Sequence, residues 1–215
     1  MECRFCTAVC IKKGFRHGSQ QYRCTTCGKY QKRCYSYQSY LVSNQSIIQH
    51  VKEGVGIRSM ARLLTIGQCT VIRRIRRIAA GISKPPIAIG KEYEVDEMCT
   101  IVGSKQRMAW IVIAQEKNSG RVMDFYVGAR MLRTLRMVIN TLLLAQPVAI
   151  HTDRLAHYQS LVPAQVHQKY PHGTNHVERL NLTLRTHLKR LGRRTICFSK
   201  RTDVLVSCLA IYFWS

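Results

Sequence analysis

The chain has 215 residues, with 34 Lys+Arg against 11 Asp+Glu and a formal net charge of +23. Its 46% apolar content supports a packed core and excludes wholesale disorder. Self-repulsion of this size opposes compaction unless a polyanion offsets it, which leaves nucleic acid or an anionic membrane as partner.

A membrane role is disfavoured, because no run approaches the roughly 18 consecutive apolar residues of a spanning helix. Met1-Glu2-Cys3-Arg4 opens no apolar leader. A reducing cytosol is therefore expected, and the ten cysteines read as metal ligands rather than disulfides.

Residues 1–40 form the first expected unit, a zinc ribbon. Cys3-x2-Cys6 and Cys24-x2-Cys27 stand seventeen residues apart. Two such knuckles complete a tetrahedral thiolate set, which suits one structural Zn²⁺. Gly28 after Cys27 supplies the positive φ that a knuckle commonly needs. Cys10, Cys34 and His17 are alternative ligands with less regular spacing. Lys12, Lys13, Arg16, Arg23, Lys29, Lys32 and Arg33, interleaved with Tyr22, Tyr30 and Tyr35, read as a phosphate-contacting surface or as a solvated basic face.

Residues 44–83 predict an all-α helix-turn-helix. Ile47, Ile48, Val51, Ile57, Ala61, Leu64, Val71, Ile72, Ile75 and Ile78 follow helical spacing. Gly54, Gly56 and Gly67 separate three helices, the second over 58–64 and the third over 69–80. Thr70, Arg73, Arg74, Arg76 and Arg77 lie off the apolar face of the third, as a recognition helix in the major groove requires. The alternative is an ordinary three-helix bundle with a basic exterior. Residues 84–91, with Pro85-Pro86, read as a linker.

Residues 92–215 predict an α/β domain. Strands are expected over 92–102, 109–115 and 122–127, a helix over 131–144, a strand over 148–152 and a helix over 175–191. Three strands, helix, strand, helix is the order of a ribonuclease-H-like mixed sheet, in which two neighbouring strands and a later helix each carry a carboxylate. Acids are scarce here, and near DNA they cost affinity, so those present need a compensating role. Four cluster at Glu92, Glu94, Asp96 and Glu97, while Asp153 and Glu178 stand among basic residues. Strand alternation puts Glu94 and Asp96 on one face, and Val95 and Glu97 on the other.

Two-metal phosphoryl transfer uses carboxylates from separate segments to hold two Mg²⁺ ions roughly 3.5–4 Å apart. Plainer readings exist for each acid. Asp96 or Glu97 reads equally as an exposed strand acid, Asp153 as a helix cap, and Asn175-x-x-Glu178 as a capping box.

The chain resembles DDE transposases of the insertion-sequence-one family. The stretches that carry the likeness are Val95-Asp96-Glu97-Met98, Ile150-His151-Thr152-Asp153 and Asn175-His176-Val177-Glu178-Arg179-Leu180-Asn181-Leu182-Thr183-Leu184-Arg185. His187-Leu188-Lys189-Arg190-Leu191-Gly192-Arg193-Arg194 and Phe198-Ser199-Lys200 follow in the family's order, and Gly54-Val55-Gly56 and the cysteines match upstream. Cys99 stands where other members favour an aromatic, and Arg154 where Gly is frequent.

The resemblance implies a triad of Asp96, Asp153 and Glu178 holding two Mg²⁺ (or Mn²⁺) ions. It also implies binding of terminal inverted repeats in double-stranded DNA, followed by strand cleavage and transfer to target DNA. Bringing two ends together implies at least a homodimer. Over a helix reaching 191, Glu178, Arg185 and Lys189 share a face, so Arg185 and Lys189, with Asn181 nearby, are expected beside the phosphates, or else on a solvated basic face. The rival readings are a non-catalytic zinc and helix-turn-helix repressor, an inactive transposase copy, and a structure-selective nuclease of the same fold.

Overall fold

The computed structural model describes residues 1–33, 42–153, 155–170, 173–192 and 194–215. These divide into two compact units, Met1–Leu41 and Val42–Ser215.

The first unit is a three-stranded antiparallel sheet of β1 (Cys10–Arg16), β2 (Ser19–Cys24) and β3 (Tyr30–Lys32), in that order. Its core is small. Buried Cys3, Cys10 and Cys24 pack with half-buried Cys6, Ala8 and Tyr22. So little apolar surface does not stabilise about 40 residues without a further tie.

The second unit begins with α1 (Asn44–Lys52), α2 (Ile57–Leu63) and α3 (Gln68–Ala80). Ser43 caps α1 by accepting from the Ser46 amide at 3.0 Å. The i, i+4 positions Ile47/Val51 and Val71/Ile75, with Met60, are buried together, so the expected trio of helices is present within a residue or two of its expected bounds. At Gly54, in the α1–α2 turn, φ is +67° and an added Cβ would lie 2.1 Å from the His187 carbonyl oxygen. A side chain there is both strained and blocked.

A five-stranded mixed sheet follows in the order β6-β5-β4-β7-β8. It contains β4 (Glu92–Ile101), β5 (Met108–Glu116), β6 (Val122–Gly128), β7 (Ala149–Thr152) and β8 (His167–Gln168). The first three are antiparallel neighbours, and β7 and β8 run parallel to β4. This is the ribonuclease-H-like arrangement, with β4 central. The helices are α4 (Leu132–Leu143), α5 (Ala156–Gln159), α6 (Asn175–His187) and α7 (Thr202–Trp214).

Strand alternation sorts the core into two layers. Tyr93, Val95, Val112, Ala114 and Ile150 pack against Leu135, Val138, Ile139 and Leu142 of α4 and Tyr158 of α5. Met98, Ile111, Ile113, Phe125 and Val127 face Val177 and Leu184 of α6 and Leu205 and Leu209 of α7. Covered on both faces, β5 reads as a near-continuous apolar run. Burying each large side chain contributes roughly 1.5–3 kcal/mol.

One expectation is corrected. The helix predicted over 175–191 ends at His187, and a 3₁₀ turn follows at Lys189–Leu191. Leu188 leaves helical backbone geometry, and Leu188, Arg190 and Leu191 are all buried. Lys189 is therefore exposed beyond the helix and does not share a helical face with Glu178 and Arg185.

The linker expected at 84–91 holds no helix or strand, but the elements on either side of it share a core. α7 sends Val204, Cys208 and Ile211 into the α1–α3 cluster, and Leu205, Leu209 and Ala210 into the sheet cluster. Helices and sheet thus share one helix and one compact unit.

Candidate functional site

Asp96 occupies the middle of the central strand β4, facing α6. Asn181 donates from Nδ2 to Asp96 Oδ2 at 2.8 Å. Burial pushes the Asp96 carboxyl above the usual carboxylate range. The Glu97 and Asn181 amides pull it back, and the negative charges of Asp153 and Glu178 push it further up. The three predicted acids are thus electrostatic neighbours, drawn from β4, the end of β7 and the first turn of α6.

Asp153 is exposed, and its Oδ1 accepts from the Leu155 amide at 3.0 Å. Leu155 itself is the N-cap of α5 and has no side-chain cap, so Asp153 makes a local turn rather than a helix cap. Glu178 accepts from Thr174 Oγ1 at 2.7 Å. The capping box expected from Asn175 and Glu178 is not formed. Thr174 is the N-cap residue of α6, without a side-chain cap bond. Glu94 reaches across from β4 instead, and its Oε2 accepts from the His176 and Val177 amides at 2.9 and 3.1 Å. Glu178 is thereby released from the capping role.

Glu97, as alternation predicts, turns to the opposite face. There it lines a shallow depression with Trp110, Arg130 and His157. Burial raises its carboxyl above the usual range. The buried Tyr158 hydroxyl faces it without an aligned hydrogen bond, and burial first, then the Glu97 charge, pushes that phenol up.

The donor set can be tested against the divalent cations implied by the resemblance. Three carboxylates supply the hard oxygens that Mg²⁺ prefers. Asn181 Oδ1 is buried beside them with no hydrogen-bond partner. A cation at this point relieves the repulsion that raises Asp96. The residues fit. The carboxylates do not close into a cage as tight as the cysteines described next.

In the first unit, the sulfurs of Cys3, Cys6, Cys24 and Cys27 all lie within 4.8 Å of one another, the only such group of three or more potential ligands among the described residues. Thr7 and Gly28, each one residue beyond a Cys-x-x-Cys pair, have φ of +60° and +68°. The Phe5 amide pulls the Cys3 thiol below its ordinary range. The Cys27 amide, aided by that of Thr26, brings Cys24 down to about 6 despite burial. Amides that favour thiolates are what a tetrahedral Zn²⁺ site requires. Cys10 and His17 stand outside the set, and burial raises the Cys10 thiol. Cys34 and Tyr35 lie outside the described residues.

The predicted DNA-contacting residues separate into groups. Arg73 and Arg77 are exposed on α3. Arg74 is half-buried and donates to Asn44 Oδ1 at 2.6 Å. Arg76 is ion-paired with Asp203 of α7 at 2.7 Å, and Thr70 is buried. Asn181 is buried against Asp96, and Arg185 is half-buried one helical turn further along the same face. Sequence reasoning missed the tie from Glu94 to α6 and the cluster of Glu92, Lys117 and His151. The one signal for either was the shared alternation of Glu92, Glu94 and Asp96.

An IS1 transposase family model matches residues 91–213. The insertion element iso-IS1n protein InsB of Shigella dysenteriae is 36% identical over 111 residues, 52% of this chain and 85% of the relative. The insertion element IS1 protein InsB of Shigella flexneri is 34% identical over the same shares. A simian T-cell lymphotropic virus intasome in complex with PP2A regulatory subunit B56 gamma is 15% identical. It has a TM-score of 0.40 and covers 76% of this chain and 66% of its own, a likeness that carries no argument.

Proposed function

The chain belongs to the IS1 transposase family, and from that premise we propose that it binds the terminal inverted repeats of an insertion sequence, cleaves DNA there and joins the freed 3′ end to target DNA. The observation that supports this reading is the hydrogen bond from Asn181 of α6 to Asp96 of β4, with the negative charges of Asp153 and Glu178 close enough to push the Asp96 carboxyl up. No packing need explains three acids gathered in a chain of net charge +23.

Asp96, Asp153 and Glu178 would hold two Mg²⁺ or Mn²⁺ ions, which when bound supply Lewis acidity for phosphoryl transfer. Asn181 orients Asp96 through its Nδ2, and Thr174 orients Glu178. Cleavage puts a water oxygen on the scissile phosphorus and releases the 3′-oxygen. Joining puts that 3′-hydroxyl on a target phosphorus and releases a target 3′-oxygen. Arg185, on the same helical face as Glu178, meets the phosphates.

Arg73 and Arg77 carry the groove contact of α3. Arg74 and Arg76 serve mainly to hold the helices, which narrows the reading surface expected from the sequence. The cysteine unit binds one structural Zn²⁺ and presents exposed Lys12, Lys13, Arg16 and Arg23 to phosphate. Joining two ends requires at least a homodimer. Among the described residues no helix is long and apolar enough to cross a membrane.

The test is cleavage and joining of terminal-repeat DNA with and without Mg²⁺. Wild type acts only with the ion, and Asp153→Asn loses at least about 10³-fold while still binding DNA, on the scale of losing an essential catalytic group. Activity that survives Asp153→Asn refutes the triad. DNA binding without any cleavage by wild type favours a repressor.

A further inference from the structure

Glu92, Glu94 and Asp96 alternate along β4 and share a face. Asp96 belongs to the acid site. Each of the other two grips a histidine that stands two residues before another acid of that site. Glu94 is 1% exposed. Its Oε2 accepts from the amides of His176 and Val177, and its Oε1 lies 2.6 Å from His176 Nδ1. Glu92 Oε2 lies 3.1 Å from His151 Nε2 and 3.0 Å from Lys117 Nζ. His176 precedes Glu178, and His151 precedes Asp153, by the same step.

Apolar contacts alone do not explain this. Val177 and Leu184 dock α6 on the sheet, but hydrophobic attraction is non-directional and leaves the helix free to slide along its axis. A slip of one turn, about 5.4 Å, carries Glu178 away from Asp96. The Glu94 carboxylate resists that slip. It satisfies two of the free first-turn amides and the positive end of the helix dipole, and a slipped helix strands it buried and unpaired. Both of its oxygens are engaged, so it is not itself a donor to the acid site.

We propose that Glu94, through His176 and the first amides of α6, sets the axial position of that helix so that Glu178 faces Asp96, and that Glu92 does the same for Asp153 through His151. These are positioning residues, and their role rests on the triad reading above. The Glu94 arm is the stronger, because Glu92 is 39% exposed and its contacts compete with water.

Full-length chains carrying Glu94→Gln, His176→Ala or Asp96→Asn test the proposal. Three quantities are measured: amide hydrogen exchange without divalent cation, Mn²⁺ affinity, and duplex DNA affinity. In Glu94→Gln, exchange at His176 and Val177 speeds at least about tenfold while β5 amides stay protected, as local opening of one helix end requires. Mn²⁺ affinity falls about 10–100-fold, the usual effect of losing a group that orients a ligand. DNA affinity stays within about twofold, since no phosphate contact is removed.

His176→Ala, which removes a largely exposed ring, moves exchange and Mn²⁺ affinity in the same direction by less. A folded Glu94→Gln that binds Mn²⁺ like wild type overturns the proposal. If Glu94→Gln does not fold, unchanged Mn²⁺ affinity in His176→Ala overturns it. Full Mn²⁺ affinity in Asp96→Asn refutes the triad instead, and exchange at His176 and Val177 then decides alone whether Glu94 holds the helix.

Discussion

The cysteine site and the acid site face the same physical problem and solve it over different lengths of chain. Each gathers groups that repel when charged. The four thiols come from two Cys-x-x-Cys turns, and neighbouring amides favour the charged forms of Cys3 and Cys24. The three carboxylates come from a central strand, a second strand and a helix. What holds them together lies outside the set: Asn181 on Asp96, Thr174 on Glu178 and Glu94 on the helix. A site built from local turns depends on its own unit. A site assembled across a fold depends on every layer of it.

That difference predicts separable failures. The largest effect is expected from a chelator or Cys24→Ser. Structural zinc contributes on the order of 10 kcal/mol in small domains, so the unit Met1–Leu41 unfolds while Val42–Ser215 keeps its transition. Nuclear magnetic resonance reads both units at once, and simultaneous loss of the second erases the distinction.

The converse variant is Leu209→Ala, in the helix shared by the sheet and α1–α3. By leaving a void in the sheet cluster, it costs the second unit about 2–5 kcal/mol. Both tryptophans, Trp110 and Trp214, lie in that unit, so urea unfolding followed by their fluorescence measures it. Zinc retention in the first unit stays unchanged. Two separate transitions for helices and sheet contradict their sharing of α7.

A smaller effect separates two neighbours on α3. Arg77→Ala lowers the slope of log affinity against log salt by about 1, as expected for one phosphate contact. Arg76→Ala leaves that slope nearly intact and costs about 0–1 kcal/mol of stability, because its partner is the half-exposed Asp203. Equal slopes in the two variants sink the assignment.

The smallest effect concerns charge at the acid site without metal. Asp96 titrates above its ordinary range in the folded state. Its contribution to stability is therefore fully present below the unfolded value, about 3.9, and is lost as pH rises through the folded value. Asp96→Asn melts higher than wild type at neutral pH in chelator, and the advantage vanishes below about pH 3.9. A melting difference of the same size at both ends of that range argues against charge as its source.

Much of this organisation was legible in the sequence, though unevenly. Cysteine spacing pointed to the metal set, and periodicity to α1–α3, β4–β7 and α4. Alternation separated Asp96 from Glu97. The last helix, α7, went unread because it is mostly apolar: packed between two clusters, it keeps only a short polar edge at Asp203 and Ser207, too little to give a helical period. The short α5 and β8 carried too little pattern to register. Asn175-x-x-Glu178 suggested a cap from the right residue types, but Glu94, 81 positions upstream of Asn175, occupied that role.

By itself, then, the sequence determined what short-range chemistry controls: knuckles, helix faces, strand faces and an excess of positive charge. Only the tertiary structure decided which acids meet, where α6 ends, which arginines of α3 remain open, and that helices and sheet share one helix as core. The physical reason is range. Backbone periodicity acts over a few residues, whereas the partner of a buried carboxylate is chosen by whichever segment the packed layers bring to it.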